Sequence, residues 1–241
     1  MLPAVLTDFD DTAAVQNVAE MLLQKFGDTT WLDVRAQFRS GALSLKEYQE
    51  ITFRQITADR PTMQHYVKQN ANLRPYFGEL WGYCHTHDIP MAIVSHGLDF
   101  YIAPLLEKAG CSQVPVYSVN TKVTTEGMTF EYCYARPGQE LEGNSKGLVV
   151  DRYRQKGHYV FYIGDGLLDF EAAARADLLF AHRTLAEECS RLNIPFRPFT
   201  DFGDVLLATQ EYYQDGRQVG RGSDGSLGAS GSSVGPEGGS P

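Results

Sequence analysis

Three carboxylates stand within four positions near the start of the chain, in the stretch LTDFDDT. Asp8 directly follows PAVLT, a run with the composition of a buried strand, and Asp10 stands two residues later. Side chains two positions apart on an extended strand project to the same side, so both carboxylates would face one site. One aspartate of such a pair can attack phosphorus as a nucleophile while the other protonates the leaving group. The alternative is a solvated turn, and Asp11 is interpreted as a turn residue in either case.

Two later apolar runs end in residues that fit the same chemistry. IPMAIVSHG ends in Ser95, His96 and Gly97, and HYVFYIGDGLLD contains Asp165 and Asp169 at its end. The serine offers a hydroxyl and the glycine leaves its backbone N–H free for an anion, whereas His96 is expected to contribute through its backbone. Ligands of an open parallel sheet bind beyond the carboxyl ends of its strands, so these stretches are predicted to converge.

The predicted site combines carboxylates from two strand ends. Oxygen ligands of this kind suit Mg²⁺, which keeps several waters and bridges to phosphate groups. A bound phosphate also needs a positive charge, and Lys146, which begins a predicted helix, is preferred over Lys122 and Lys156. Arg74 and Arg136 are further candidates for a contact with the substrate or with a cap. The sequence therefore predicts a Mg²⁺-dependent phosphate site.

Strands and helices alternate along the second half of the chain. The predicted strands are PAVLTDF, IPMAIVSHG, VPVYSVN, HYVFYIGDG and DLLFAH, separated by helical patterns such as DFYIAPLLEKAG. Because parallel strands need a crossover that is usually helical, the alternation predicts a Rossmann-like α/β sheet with helices on both faces. KVTTEGMTFEYCYA is typical of a small β-hairpin flap that turns at Glu126 and Gly127.

Helical periodicity interrupts this alternation between residues 13 and 88. Within that block, SLKEYQEITFRQI opens with Ser44 and Glu47 in capping-box spacing. Residues 13–88 are therefore predicted to form a mostly helical cap, inserted into a catalytic core made of residues 1–12 and 89–214.

The composition and the net charge limit the kinds of molecule that this protein is expected to bind. The net charge is -9 and no basic stripe offsets it, which argues against binding to nucleic acid or to an anionic membrane. No apolar run is long enough to span a membrane, and the first residues lack signal-peptide features. Four scattered cysteines without a Cys-x-x-Cys pair are typical of a reduced cytoplasmic protein. We therefore expect a cytoplasmic protein with a disordered Gly/Ser-rich tail at 215–241, and the sequence does not indicate its oligomeric state.

Four motifs in this order, DFDDT, SHG, a single lysine and GDGLLD, resemble those of the haloacid dehalogenase superfamily, in its phosphatase branch. The resemblance extends over roughly residues 3–214. Two longer segments, SHGLDFYIAPLLEKAG and YIGDGLLDFEAAARADLLFA, are similar to 2-hydroxy-3-keto-5-methylthiopentenyl-1-phosphate phosphatases and to phosphoserine phosphatases. The DFYIAPLLE stretch favours the first group. The resemblance implies a Mg²⁺-dependent hydrolase that acts on a small phosphorylated metabolite.

The resemblance also implies a role for each motif residue. Asp8 would be the nucleophile, and Asp10 would be the general acid and then the general base. The transferring phosphoryl group would be bound by Thr12, Ser95, His96, Gly97 and Lys146. Thr12 would also orient the two catalytic aspartates. Mg²⁺ would be bound by Asp8, Asp165 and the backbone carbonyl of Asp10. Asp169 would support the metal site or position the lysine.

The sequence departs from the family pattern at three places. Asp11 replaces a glycine that is common after the second aspartate. Asn17 stands where phosphoserine phosphatases carry an acidic residue for the substrate ammonium, which argues against an amino-acid phosphate. The segment EGNSK lacks the cysteines that some methionine-salvage relatives carry before the lysine.

Three other functions are alternatives to a phosphatase. A dehalogenase of the same superfamily needs neither an acid such as Asp10 nor a metal cluster. A phospho-acceptor signalling module also combines aspartates, a hydroxyl residue and a lysine, but on a chain about half as long. A binding protein without catalysis would not require the complete set of motif residues.

Overall fold

The computed structural model describes residues 1–124 and 127–222, with residues 215–222 as backbone alone. Its strands are β1 (Pro3–Thr7), β2 (Met91–Leu98), β3 (Val116–Thr124), β4 (Gly127–Glu131), β5 (Tyr159–Gly164), β6 (Leu178–Ala181) and β7 (Arg197–Pro198). Its α-helices are α1 (Val18–Phe26), α2 (Trp31–Arg39), α3 (Leu45–Arg54), α4 (Arg60–Asn70), α5 (Phe77–Thr86), α6 (Asp99–Lys108), α7 (Lys146–Gln155), α8 (Phe170–Ala173), α9 (Arg183–Arg191) and α10 (Phe202–Gly222).

One sheet runs through the molecule in the order β4-β3-β2-β1-β5-β6-β7. The central strand β1 pairs in parallel with β2, where Leu6 is opposite Ala92, and with β5, where Leu6 is opposite Tyr162. Within the described residues every strand pair is parallel except β3–β4, which is antiparallel. The predicted Rossmann-like class is therefore confirmed, and the carboxyl ends of β1, β2 and β5 meet at one edge.

Helices cover both faces of the sheet, because consecutive residues of a strand point to opposite sides. Val5 and Phe161 contribute to one apolar core together with residues of α5, α6 and α10. Leu6 and Tyr162 contribute to a second core that includes residues of α7, α8 and α9. With both faces covered, β1 is buried along its whole length, which explains its continuous apolar sequence.

The helices α1 to α4 lie between β1 and α5 along the chain, and we propose that they form the predicted cap. The start of α3 has the predicted capping box: Ser44 Oγ accepts the N–H of Glu47 at 3.2 Å, and Glu47 Oε2 accepts the N–H of Ser44 at 2.8 Å. The cap is docked on the core through side chains such as Gln64, which donates to the carbonyl of Phe100 at 3.0 Å.

The chain crosses between core and cap at two adjacent segments, 13–15 and 72–74, which we call the hinge. The two segments run antiparallel, and the N–H of Val15 donates to the carbonyl of Asn72 at 3.0 Å. Each crossing is thereby held by the other, so the cap is attached through a short paired ribbon rather than through two separate loops.

Helix α5 follows the hinge and packs on the core. Its Phe77 ring lies 5.2 Å from that of Phe202 in α10, edge to face. The sequence analysis included this helix in a cap that spans residues 13–88. Helical periodicity alone does not tell a cap helix from a core helix, because both present one apolar face. We propose that the cap spans residues 15–72.

Two predictions, the β-hairpin and the C-terminal tail, concern segments of which the structure describes only a part. The strands of the predicted hairpin are confirmed, with Val123 of β3 opposite Met128 of β4, while Glu126 in its turn lies outside the described residues. Helix α10 continues to Gly222, into the segment from residue 215 that was predicted as a disordered tail, and the tail stays a prediction. Extending a packed helix costs less than starting one, which explains the continuation. Residues 223–241 lie outside the described residues.

Two further observations concern the cysteines and the helices. The thiols are all free at Cys84, Cys111, Cys133 and Cys189. Among the helices of the described residues, none combines the length and the apolar character that crossing a membrane requires.

Candidate active site

The carboxyl edge of the sheet brings the predicted residues together. Asp8 directly follows β1, Ser95 lies in β2 and Asp165 directly follows β5, and these three strands are neighbours. Lys146 begins α7, and Asp169 ends the short helical turn Leu167–Asp169 after β5. All five line one cavity of about 620 Å³. The convergence predicted from the strand ends is therefore present in the fold.

Lys146 forms two buried ion pairs at this cavity. Its Nζ lies 2.6 Å from Asp8 Oδ1 and 2.6 Å from Asp169 Oδ1. The lysine is only 3% exposed, so water does little to screen these charges. Burial alone would lower the pKa of Lys146, but the charges of Asp169 and Asp8 raise it above its ordinary value. The amine is therefore charged and stands directly beside Asp8.

Asp169 holds the lysine in place. Its Oδ1 also accepts the hydroxyl of Tyr162 at 2.6 Å, and its Oδ2 accepts the N–H groups of Asp165 and Gly166 at 3.0 Å each. Burial acts to raise the pKa of Asp169, but Lys146 and these hydrogen bonds hold it below its ordinary value. Both oxygens of Asp169 are thus engaged by the protein, which suits a positioning group.

Asp8, Asp165 and Asp169 have oxygens that all lie within 4.8 Å of one another. Burial, followed by the charge of Asp169, raises the pKa of Asp165 to about 7 and raises the pKa of Asp8 well above its ordinary value. Lys146 offsets only one of the three negative charges of this cluster, so a divalent cation would supply the remaining positive charge, and carboxylate oxygens are the donors that hard cations prefer. The group can therefore hold a metal ion.

Asp10 lines the same cavity but does not belong to the carboxylate cluster. Its Oδ1 accepts the N–H groups of Val18 at 2.7 Å and Ala19 at 3.1 Å, at the start of α1, and its Oδ2 accepts the hydroxyl of Tyr101 at 2.9 Å. Burial raises the pKa of Asp10 to about 6, although these hydrogen bonds oppose the shift. A carboxyl group that titrates near neutral pH suits proton transfer.

Two residues that the sequence analysis assigned to the phosphate have other partners. Thr12 is completely buried and does not line the cavity, and its hydroxyl donates to Asp165 Oδ1 at 3.1 Å. The N–H of Gly97, expected to be free, donates to Ser95 Oγ at 2.8 Å. Since the serine oxygen accepts this bond, the serine keeps its own proton for donation to an anion.

His96 is tied to the cap through its backbone. Its carbonyl accepts Nε2 of Gln49, a buried residue of α3, at 2.5 Å. Burial and the charge of Lys146 lower the pKa of His96 to about 3, so the imidazole is neutral. A cap residue is thus bonded directly to the stretch that carries Ser95, and no pattern in the sequence predicts this contact.

The cap also forms one wall of the cavity. Its apolar lining is supplied by Phe38, Leu45, Tyr48 and Phe53. Glu20 of α1 and Arg35 of α2 line the same cavity and form an ion pair at 2.5 Å. The sequence analysis missed this pair, because helical periodicity shows which residues share a face of one helix but not which neighbour that face meets.

Asp11 forms the turn after the first strand, as interpreted from the sequence. Its φ of +60° lies in the left-handed region that favours glycine, the residue that the family resemblance implies at this position. Asn17 donates to Asp11 Oδ2 at 2.9 Å, and Arg183 pairs with Oδ1. Arg74 donates to the backbone carbonyls of Asp11 at 2.7 Å and Thr12 at 2.9 Å. Arg74 therefore holds the turn, while Asn17 reaches the cavity wall.

The remaining candidates lie away from this cavity. Arg136 pairs with Glu171 at 2.6 Å and lines a neighbouring cavity of about 720 Å³. Lys122 and Lys156 are exposed. Of the three lysines weighed in the sequence analysis, only Lys146 reaches the carboxylates.

A parallel sheet with buried carboxylates and a lysine at its carboxyl edge, facing a wall of helices, is the arrangement of an enzyme with an α/β fold. The family model described as haloacid dehalogenase-like hydrolase matches residues 5–174, more than half of the chain. The chain belongs to this family, which confirms the resemblance of its motifs.

Two relatives carry the same descriptive name. A protein of Lysinibacillus sphaericus (strain C3-41), named 2-hydroxy-3-keto-5-methylthiopentenyl-1-phosphate phosphatase, is 29% identical over 226 residues, which cover 91% of this chain and 99% of the relative. A protein of that name from Exiguobacterium sibiricum is 28% identical over 218 residues, which cover 87% and 98%. The chain is thus similar to these proteins over almost their full length.

Solved structures agree with the fold. A phosphoserine phosphatase in a substrate-bound complex matches with a TM-score of 0.65 at 15% identity, covering 86% of this chain and 98% of that chain. A probable phosphoserine phosphatase from Vibrio cholerae matches with a TM-score of 0.65 at 18% identity, covering 89% and 67%. At this identity the likeness concerns the fold alone.

Proposed function

We propose that this chain is a Mg²⁺-dependent phosphomonoesterase that hydrolyses a small metabolite phosphate through an aspartyl-phosphate on Asp8. The observation that carries the proposal is the position of Asp8, with Lys146 Nζ at 2.6 Å and the oxygens of Asp165 and Asp169 within 4.8 Å. A phosphate in this cavity meets a carboxylate nucleophile, a fixed positive charge and a cation site together.

The two half-reactions use the same groups. In the first, Asp8 attacks phosphorus while Asp10 gives a proton to the leaving oxygen. In the second, water attacks the aspartyl-phosphate and Asp10 takes up its proton. Ser95 and Lys146 neutralise charge on the phosphoryl oxygens in both steps, so most of the acceleration comes from positioning and electrostatics. The cap excludes bulk water from the cavity.

The metal would be bound by Asp8 and Asp165, with the backbone carbonyl of Asp10 as a further proposed ligand. Thr12 orients Asp165 through its hydroxyl, and Asp169 orients Lys146. When bound, Mg²⁺ supplies positive charge to the phosphoryl oxygens and to the carboxylates around it.

Removal of divalent cations is expected to stop hydrolysis. Treatment with EDTA should reduce release of inorganic phosphate from p-nitrophenyl phosphate to background, because Asp8 and Asp165 then repel each other and the incoming phosphate. Dialysis and addition of Mg²⁺ should restore the rate, which a phosphate-release assay measures directly.

The control for this experiment is Ca²⁺, a larger cation with looser coordination. Added at the same concentration to the EDTA-treated protein, it is expected to restore much less activity than Mg²⁺. Full activity after exhaustive chelation would contradict the proposed metal role.

The substrate that fits best is 2-hydroxy-3-keto-5-methylthiopentenyl-1-phosphate. The names of the two relatives, which cover most of this chain, support this choice. A methylthio group needs an apolar wall, and the aromatic rings of Phe38 and Phe53 line the cavity on the cap side. The polar keto and hydroxyl groups can meet the Glu20–Arg35 pair. Phosphoserine is the alternative, suggested by the names of the structural neighbours.

A panel of phosphate esters tests the assignment. We expect the methylthio enol phosphate to have a kcat/KM at least about tenfold above that of phosphoserine, because only the first can use the apolar wall. Chloroacetate, assayed for chloride release, serves as the dehalogenase control and should not react. A preference for phosphoserine would overturn the substrate assignment and leave the phosphatase proposal intact.

Replacing Gln49 by leucine is expected to lower kcat/KM by roughly tenfold, because the buried carbonyl of His96 loses its hydrogen bond from the cap. Steady-state kinetics with p-nitrophenyl phosphate measures the effect. Gln37→Leu, on the exposed face of α2, makes the same chemical change away from the cavity and should behave as the wild type. Equal kinetics for both variants would show that the Gln49 contact has no part in turnover.

A cytoplasmic location remains a prediction. The four free cysteines support it, since thiols persist in reducing compartments.

A further inference from the structure

Tyr101 of α6 contacts the proposed acid of the reaction. Its hydroxyl donates to Asp10 Oδ2 at 2.9 Å, while Asp10 Oδ1 accepts the N–H groups of Val18 and Ala19. The tyrosine is only 1% exposed, and its ring lies 6.1 Å from that of Phe9 in the turn after β1. Both oxygens of Asp10 are therefore held, each by a different kind of donor.

The backbone at Gly97 lies against this contact and leaves no room for a side chain. A Cβ on Gly97 would lie 2.2 Å from Tyr101 Oη and 3.0 Å from Asp10 Oδ2, so no side chain fits at that position. The ring of Tyr101 is also stacked at 6.4 Å on Phe53, which belongs to cap helix α3. The hydroxyl is thus fixed by packing from the core, from the cap and from the SHG stretch.

The two carboxylate oxygens of Asp10 differ in whether they can carry a proton without losing a hydrogen bond. A backbone N–H only donates, so a proton on Oδ1 would cost the hydrogen bonds from Val18 and Ala19. A tyrosine hydroxyl donates or accepts, so a proton on Oδ2 is compatible with the neighbouring Tyr101. Oδ2 is therefore the oxygen suited to exchange a proton with the substrate.

We propose that Tyr101 is a positioning residue that holds Asp10 Oδ2 as the proton-carrying atom of the reaction, an inference that rests on the proposed function. In the first step, Asp8 forms a bond to phosphorus, the bond to the leaving oxygen breaks, and that oxygen receives the proton from Asp10 Oδ2. In the second step, water forms a bond to phosphorus, the bond to Asp8 breaks, and Oδ2 receives a proton from the water. Tyr101 keeps its own proton throughout and only turns its hydroxyl.

The variant Tyr101→Phe tests the inference, because it removes the hydroxyl and keeps the ring. Phenyl phosphate and p-nitrophenyl phosphate are suitable probes, since they have similar shapes but leaving groups of different basicity. Phenolate needs the proton from Asp10 more than the weakly basic p-nitrophenolate does. The ratio of kcat/KM for p-nitrophenyl phosphate to that for phenyl phosphate is expected to rise roughly tenfold in the variant, the loss expected for one hydrogen bond to a charged group. A role in packing alone would lower both values equally.

Two comparisons make the result decisive. In an Asp10→Asn background, Tyr101→Phe should no longer change the ratio, because the group through which it acts is absent. Tyr153→Phe is the matched control: Tyr153 is buried and bonds to the hydroxyl of Tyr117 at 3.2 Å, outside the cavity, and its loss should leave the ratio unchanged.

Three outcomes would overturn the inference. One is an unchanged ratio in Tyr101→Phe, and another is the same change in the Asp10→Asn background. A wild-type protein that hydrolyses neither ester, nor any member of the wider ester panel, would refute the proposed function and this inference with it. The first two outcomes leave the proposed function standing.

Discussion

Replacing Asp8 by asparagine is expected to abolish phosphate release, with a loss on the order of 10⁴-fold or more, the scale seen when a catalytic nucleophile is removed. An amide of the same shape does not attack phosphorus, so no aspartyl-phosphate forms. Acid quenching during turnover of a ³²P-labelled ester should leave label on the wild-type chain and none on the variant.

The fold is expected to survive this change. Burial raises the pKa of Asp8, which means that its ionised form is less favourable in the folded than in the unfolded chain. A neutral amide avoids that cost, and Lys146 retains its pair with Asp169. Thermal unfolding in EDTA should therefore show no lower midpoint than the wild type. Asp33→Asn, on the exposed face of α2, is the matched control and should keep full activity. Hydrolysis by Asp8→Asn at a rate near that of the wild type would refute the assigned nucleophile.

Replacing Lys146 by methionine is expected to reduce the free energy of unfolding by about 3–5 kcal/mol and to stop turnover, because two buried carboxylates lose their shared counter-ion. Methionine has nearly the length of lysine, so the cost is mainly that of charge rather than of a cavity. Urea denaturation in EDTA measures the change in stability, and the phosphate-release assay measures the change in rate.

Lys122→Met serves as the control for this experiment, since it removes an exposed lysine from the β3 strand. Its stability and rate should stay near those of the wild type. A Lys146→Met protein that unfolds at the wild-type urea concentration would show that the two ion pairs contribute nothing net to the fold. A variant that is destabilised but fully active would remove Lys146 from the phosphate site.

The residues that could be placed from the sequence are those whose position follows from strand order. Asp8, Ser95 and Asp165 each stand at the end of an apolar run, and parallel strands bring such ends to one edge. Lys146 was placed by the same reasoning, because it begins the helix that precedes β5. Local patterns were equally informative at Ser44, where a capping box needs only residues three apart.

The residues that could not be placed are those whose partner lies on a separately folded element. Gln49 meets His96 only because α3 docks in one particular register on the core, and no periodicity in α3 encodes that register. Tyr101 looks like an ordinary core aromatic in DFYIAPLLEKAG, although its hydroxyl reaches Asp10. For the same reason, periodicity assigned α5 to the cap although its partner is α10.

The hinge allows the cap to be exchanged as a unit. Because segments 13–15 and 72–74 lie side by side and are paired, the ends of everything between them are already close together in space. Another insert with the same spacing between its ends could be grafted there without changing the order or register of the sheet strands. An exchange of caps between homologues is then a direct route to new phosphatase specificities on the same sheet, provided that the new cap again bonds Asp10 and His96 as Val18, Ala19 and Gln49 do here.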